Sequence, residues 1–129
     1  MAIRIIQLGT PRKAREGLRI GTVRRLPRGV RKADFSKQNY FDIWLPDIAP
    51  SAKLVSWALS EPFTPRRWER YERAYLREMG VPAAKRIIAL LAALSASTNF
   101  SVGCYCADAA HCHRRLLRRL LLESGAKMA

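Results

Sequence analysis

Five side chains able to act as nucleophile, proton carrier or soft metal ligand fall within ten consecutive positions of this 129-residue chain. They are Cys104, Cys106, His111, Cys112 and His113, in the run CYCADAAHCHRR ending at Arg115, and the chain has no other cysteine or histidine. Phe100 to Cys106 reads as a buried strand and Arg114 to Glu123 as a helix. The run therefore spans a strand-to-helix turn, where open α/β sheets place their ligands. A thiol beside a helix start and cationic groups is favoured as the thiolate, which makes it a nucleophile, metal ligand or redox partner. The free N–H groups of that helix end, with Arg114 or Arg115, can hold an anion such as phosphate.

Strand alternation puts Phe100, Val102, Cys104 and Cys106 on one face, with Cys106 at the carboxyl end. Asp108 suits the cap of the last helix, since its carboxylate accepts free N–H groups and complements the dipole. From that start, His113, Leu116, Leu117 and Leu120 form the stripe packed on the sheet, while Arg114, Arg115, Arg118 and Arg119 stand near solvent. Cys106, Cys112 and His113 then converge at the sheet's edge. The expected catalytic set is Cys112 or Cys106 as reactive thiol, with His113 orienting or deprotonating it. The expected anion-binding set is Arg114, Arg115, Arg28 and Arg25.

Other readings of the run remain open. The Cys-x5-Arg loop of phosphatases is absent, because Arg114 follows Cys106 by eight positions and Cys112 by two. Cys106, Cys112 and His113, with Cys104 or His111, offer three or four soft ligands. Structural zinc sites normally join two separated pairs, which a C-x-C-x4-H-C-H run does not, so no metal ligand is assigned and the cofactor is left unknown. Cys104 reads as a small core residue, the usual role of cysteine in a buried strand.

Composition narrows the class. There are 24 Lys and Arg against 10 Asp and Glu, a net charge of +14. Phosphate-bearing partners, nucleic acid first, explain such an excess; heavy arginine usage in the source organism gives the same balance. The 49% hydrophobic content argues against disorder and for one domain over residues 1–129. No apolar run approaches the ~20 residues of a membrane span. Met1 to Thr10 does not read as a signal peptide. Three cysteines without a spaced disulfide framework fit a reducing cytoplasm.

Along the chain, Ala2 to Leu8 reads as a first strand and Leu18 to Leu26 as a second, separated by the basic loop Pro11 to Gly17. Arg24, Arg25, Arg28, Arg31 and Lys32 crowd around Pro27 and Gly29, which forbid a regular helix there. That turn is either phosphate-facing or a solvated loop. Asn39 to Pro50 reads as a short strand or an irregular cover. Ser51 caps a short helix through Trp57. Thr64 and Pro65 open a longer helix, in which Trp68, Tyr71, Tyr75 and Met79 face the core. Arg66, Arg70, Arg73 and Arg77 take another face, with Glu69 supporting Arg73. Pro82 opens a helix whose Ile87, Leu90, Leu91 and Leu94 form an apolar stripe. These elements predict a small three-layer α/β domain with a mostly parallel sheet and helices on both faces.

Cys106 followed by Cys112-His113-Arg114 at the last strand-helix turn resembles the signature of the domain of unknown function 488 family. Val23 to Val30 (VRRLPRGV), Trp44-Leu45 with Ala49-Pro50-Ser51, and Arg67-Trp68 through Tyr75 and Leu76 are similar to its YeaO-like branch. The resemblance implies a small α/β fold and a bacterial or archaeal cytoplasmic protein, and assigns no activity. In that branch the arginine-proline-arginine-glycine segment usually carries an Asp and a Trp. Here Arg24 stands at the Asp position and the Trp is missing, whereas the Cys-His-Arg turn that the branch often lacks is kept. The expected function is thus a basic cytoplasmic domain with a Cys/His/Arg anion site, as a nucleic-acid- or nucleotide-processing enzyme. The alternatives are a non-enzymatic nucleic-acid-binding module on the Met1 to Lys37 arginines and a Cys/His metal-binding protein.

Overall fold

The last strand of the chain is the central one of its sheet. In the computed structural model, which describes residues 1–129, the strands are β1 (Ile3–Gln7), β2 (Leu18–Gly21), β3 (Ile43–Trp44) and β4 (Phe100–Cys104). They lie in the order β1-β4-β2-β3, and every neighbouring pair is parallel. Phe100 stands opposite Ile3 on one side and Leu18 on the other. All five residues of β4 are buried. A strand covered on both faces needs no polar alternation, which is why it reads as an unbroken run of apolar and small residues. Gly103 belongs to that crowding, since a Cβ there would lie 2.7 Å from the Ile6 carbonyl oxygen.

Four helices follow from local signals. In α1 (Ala52–Ser60) the Ser51 hydroxyl accepts from the Leu54 N–H, and in α2 (Pro65–Glu78) Thr64 accepts from the Arg67 N–H. Both caps are where the sequence puts them. α3 (Pro82–Leu94) begins on its proline, and α4 (His113–Glu123) ends before Gly125, whose φ of 87° suits a residue without a side chain. Leu54, Tyr71, Tyr75, Ala84, Ile88, Leu91, Leu116, Leu117 and Leu121 of these helices share one core with Ile3, Ile20, Phe100 and Val102 of the sheet. No helix is long and apolar enough to cross a membrane.

The α/β class and the parallel sheet are those predicted, but the layering differs. All four helices join the core on one face. The other face is covered by irregular chain: Phe41 packs over Gly21, and the Ser101 hydroxyl donates to the Glu16 carbonyl. Arg19, 1% exposed, holds these loops by donating to Glu16, Thr10, Pro11 and Asn39.

Several boundaries move for identifiable reasons. β2 stops at Gly21, well short of Leu26. β4 stops at Cys104, not Cys106, because β1 and β2 have both run out beside it. Asn39 to Pro50 is strand and irregular chain together, β3 followed by a 3-10 turn over Pro46–Ile48. On α3 the buried stripe is Ala84, Ile88, Leu91 and Ala92, while Leu90 and Leu94 are exposed. The small residues Ala84 and Ala92 let that helix sit close, a face that a count of large apolar residues misses. Glu69 makes no pair with Arg73; the ion pair that α2 forms with α4 is Glu72 to Arg119 at 3.6 Å. Beyond α4 the chain returns to β1, where the Ile3 N–H donates to the Lys127 carbonyl and closes that edge.

Candidate functional site: a thiol cluster at the end of the central strand

Cys104 closes β4, Cys106 lies in the loop after it, and Cys112 immediately precedes α4. The bend between strand and helix brings their three sulfur atoms within 4.8 Å of one another, with 3.6 Å between Cys104 Sγ and Cys106 Sγ. Cys104 and Cys112 are buried and Cys106 is exposed. The three thiols share charge unequally. Hydrogen bonds from the Cys104 and Cys112 thiols hold Cys106 far below the ordinary thiol range, outweighing its partial burial, and Arg114 adds to the effect. The same bonds work against the donors. Cys104 is pushed up to about 11 chiefly by its bond to Cys106, and Cys112 is pushed up by both neighbours and by burial. One thiolate flanked by two thiols is the arrangement these shifts describe.

His113 is 3% exposed at the first position of α4. Its Nε2 lies 2.6 Å from the Thr22 carbonyl oxygen, which can only accept, so Nε2 carries the proton. The unprotonated Nδ1 then faces Cys112 Sγ at 3.8 Å. Burial pushes His113 down to about 4, against the Thr22 carbonyl, which favours the charged form. The ring is neutral, and its Nδ1 and the Cys106 sulfur compete for the one proton of the Cys112 thiol.

A cavity of about 310 Å³ opens onto this cluster. Cys104, Cys106, Cys112 and His113 line it, Phe63, Tyr71, Tyr105 and His111 give aromatic surface, Val23, Pro50, Val55, Ala58 and Leu59 aliphatic surface, and Arg24 and Arg25 are the charged residues of the lining. Phe63 stacks on the His111 ring at 5.6 Å, and the Tyr105 hydroxyl donates to the Arg25 carbonyl at 2.8 Å. Arg24 is fixed by donating to the carbonyls of Pro46 and Pro50, both at 3.0 Å.

The structure therefore brings together Cys106, Cys112, His113 and Arg25 of the expected residues. It places the others differently. Asp108 caps the short turn Ala109–His111, accepting from the Ala110 N–H, and not the last helix; α4 starts five residues later with no side-chain cap. Asp108 also holds His111 through an Oδ2–Nδ1 contact of 2.8 Å. Arg114 is 5% exposed instead of solvent-facing, and its Nη2 donates to the Cys106 carbonyl at 2.6 Å. Its Nε is buried without a partner. Arg115 is exposed and donates to the Ala110 carbonyl, and Arg28 is exposed outside the cavity wall. Cys104 reads as core in the sequence, Arg24 only as part of the basic turn around Pro27, and Thr22 and Phe63 are not marked. The period-2 alternation that puts Cys104 with Cys106 is a usable signal for the first. Nothing local marks Thr22 and Phe63, which come from distant segments. As for metals, Cys104, Cys106 and Cys112 are the residues whose donor atoms are close enough to share an ion.

Fold and site together define a small parallel α/β protein with a thiol cluster at the carboxyl end of its central strand. The chain belongs to the DUF488 family: the model of the group DUF488-N3a, described as the active DUF488-N3 subclade, matches residues 3–125. That match is to N3a and does not speak to the YeaO-like branch. No curated protein and no solved structure matches the chain.

Proposed function

We propose that the chain is a thiol-dependent enzyme acting on a planar, phosphate-bearing substrate of the nucleotide class. One observation carries this reading: the exposed cysteine, Cys106, stands on the wall of a cavity with aromatic surface, with the sulfur atoms of two buried cysteines within 4.8 Å of its own. Of the two reactive-thiol candidates, exposure and the favoured thiolate support Cys106 over Cys112. An aromatic ring would lie against the cavity surface given by Phe63, Tyr71 and Tyr105, with its phosphate toward the exposed Arg25, since Arg24 is tied to the Pro46 and Pro50 carbonyls. The Cys106 sulfur supplies the electron pair of a new bond to a carbonyl- or amidine-type carbon of the substrate, whose thioester-like adduct water can open. The leaving group departs with the electrons of the bond that breaks and is protonated by water. Hydrolysis of the adduct returns the thiolate. Cys104 and Cys112 stabilise the thiolate, and His113, fixed by Thr22, keeps Cys112 oriented. The "active" in the matched subclade's description is consistent with this assignment.

Iodoacetamide labelling at neutral pH, read by peptide mass analysis, tests it. Cys106 is expected to react first and to be protected by a nucleoside monophosphate. Labelling no faster than in the denatured chain, or without protection, overturns the proposal. A second reading is favoured by the sulfur distances: neighbouring ligands of a tetrahedral zinc at ~2.3 Å lie about 3.8 Å apart, close to the Cys104–Cys106 separation of 3.6 Å. Elemental analysis of protein purified without chelator decides between them. One tightly held metal per chain that blocks alkylation supports a trithiolate centre with its fourth position toward the cavity.

A further inference from the structure

A row of uncompensated charge on one helix lies away from the thiol cluster. Arg66, Arg70, Arg73 and Arg77 follow one side of α2 at spacings of four, three and four, and all are exposed. None of the four is in an ion pair or donates a side-chain hydrogen bond. Like charges four apart on a helix repel by a few tenths of a kcal/mol each, so Arg66/Arg70 and Arg73/Arg77 stand together at a small cost. The acids of α2 do not offset them. Glu72 pairs with Arg119, Glu78 accepts from the Ser51 N–H and hydroxyl, and Glu69 pairs with none of the four. Lys53 and Trp57 of α1 face Arg70, Arg73 and Arg77 across an open groove of about 570 Å³, and Arg66 lines its continuation past Trp57. There the Arg67 guanidinium sits 4.1 Å above the Trp57 ring and donates to the Trp57 carbonyl at 2.8 Å. Arg67 also pairs with Glu61 at 3.7 Å, so its charge is already partly compensated and the free charge of the groove is that of Arg66, Arg70, Arg73, Arg77 and Lys53. Arg67 Nε remains buried and unpartnered.

We infer that the α1–α2 groove binds the phosphate backbone of nucleic acid. From Arg66 to Arg77 the helix rises roughly 16 Å, at 1.5 Å per residue. A duplex strand carries a phosphate about every 3.4 Å along the axis, so this row faces four or five of them. An extended polyanion uses such a line; a single phosphate does not. Arginine's planar fork suits phosphate oxygens. A bilayer is less suited, because the groove's apolar residues, Leu54, Trp57 and Ala74, are buried or half-buried and offer nothing to insert. In the amino-terminal third, Arg12 is paired with Asp42, Arg31 with Asp34, Arg19 is buried on Glu16, and Arg24 is tied to two carbonyls. Its free cations, Lys13, Arg15, Arg28, Lys32 and Lys37, are spread over loops and turns instead of one helix side. The groove and the thiol cavity lie on different sides of α1, Trp57 lining the first and Val55, Ala58 and Leu59 the second. The inference does not depend on the thiol chemistry.

Fluorescence anisotropy with a labelled 20-base-pair duplex and a 20-nucleotide single strand, titrated from 50 to 300 mM salt, tests it. The full chain is expected to bind with a log–log salt slope of about −3 to −4 on the duplex, for four phosphate contacts at roughly −0.9 each. R70Q/R73Q/R77Q is expected to weaken binding at least about tenfold and to flatten the slope by two or more. K13Q/K32Q/K37Q removes as much charge from the amino-terminal third and is expected to leave the slope within about one unit of the wild type. R66Q/R67Q serves as the second groove variant if circular dichroism shows the triple variant unfolded. Absence of binding overturns the inference. So does equal loss in the K13Q/K32Q/K37Q variant, or tighter binding to phosphatidylserine vesicles than to either nucleic acid.

Discussion

Two buried polar clusters flank the same sheet, and they are satisfied to very different degrees. Around Arg19 every guanidinium nitrogen has a partner: Nε and Nη2 form a fork on Glu16, Nη1 reaches the Thr10 and Asn39 carbonyls, and Nη2 also reaches Pro11. Both charges are nearly inaccessible, with side chains 1% and 2% exposed. Around Cys106 the bonds are weak S–H contacts, Arg114 Nε has no partner, and a cavity stands open alongside. A saturated network fixes loops and has no capacity left for a ligand. An under-satisfied one beside a cavity has donors and a thiolate still available. Departures from full satisfaction are where function is to be sought.

The largest expected effect breaks the saturated side. Arg19→Met strands the Glu16 carboxylate in the interior and should cost about 3–5 kcal/mol, read by urea unfolding. Replacing Glu16 by Leu as well should recover much of it. If R19M is instead near neutral, the network is not what holds the loops.

Next in size is acid sensitivity on the thiol side. His113 is held neutral, at about 4 when folded against roughly 6.5 unfolded. Between those values the unfolded chain binds more protons, so stability is full above about pH 6.5 and falls as pH drops toward 4. The loss approaches about 3 kcal/mol. Unfolding of chelator-treated protein at pH 7, 5.5 and 4.5 measures it, and H113N should flatten the dependence.

A kinetic contrast comes third. An ordinary thiol alkylates about tenfold faster per pH unit below its pKa. Cys106, whose pKa the neighbouring thiols lower, is instead expected to change by no more than about twofold between pH 6 and 8, while C106S removes that phase. A Cys106 rate that climbs like a free thiol's would erase the difference between the two clusters. The smallest effect is Thr22→Val, which removes the hydroxyl donated to the Gly103 carbonyl at 3.0 Å and should cost about 1 kcal/mol in thermal unfolding. It leaves in place the main-chain carbonyl that orients His113.

Local chemistry made much of the fold legible. Ser51, Thr64, Pro65 and Pro82 carry their helix starts in their own side chains. The apolar run from Phe100 announced a buried strand. The tight run of cysteines and histidines located the site. Charge was legible only in part. Of the eleven basic residues between Arg4 and Lys37, Arg12, Arg19 and Arg24 are engaged within the fold and Arg31 forms an exposed pair with Asp34, while Lys13, Arg15, Arg28, Lys32 and Lys37 form no ion pair. Counting charges along a chain does not tell which of them the fold engages.

The sequence by itself determined the helix starts, the parallel α/β class and the neighbourhood of the thiols, because capping, strand burial and cysteine spacing act over a few residues. Only the tertiary structure decided that Thr22 fixes the His113 proton and that Phe63 and Arg24 face the cavity beside the thiols. Each of these depends on segments far apart in the chain meeting where the central strand ends. Such a meeting is set by sheet order and packing, which no local pattern records.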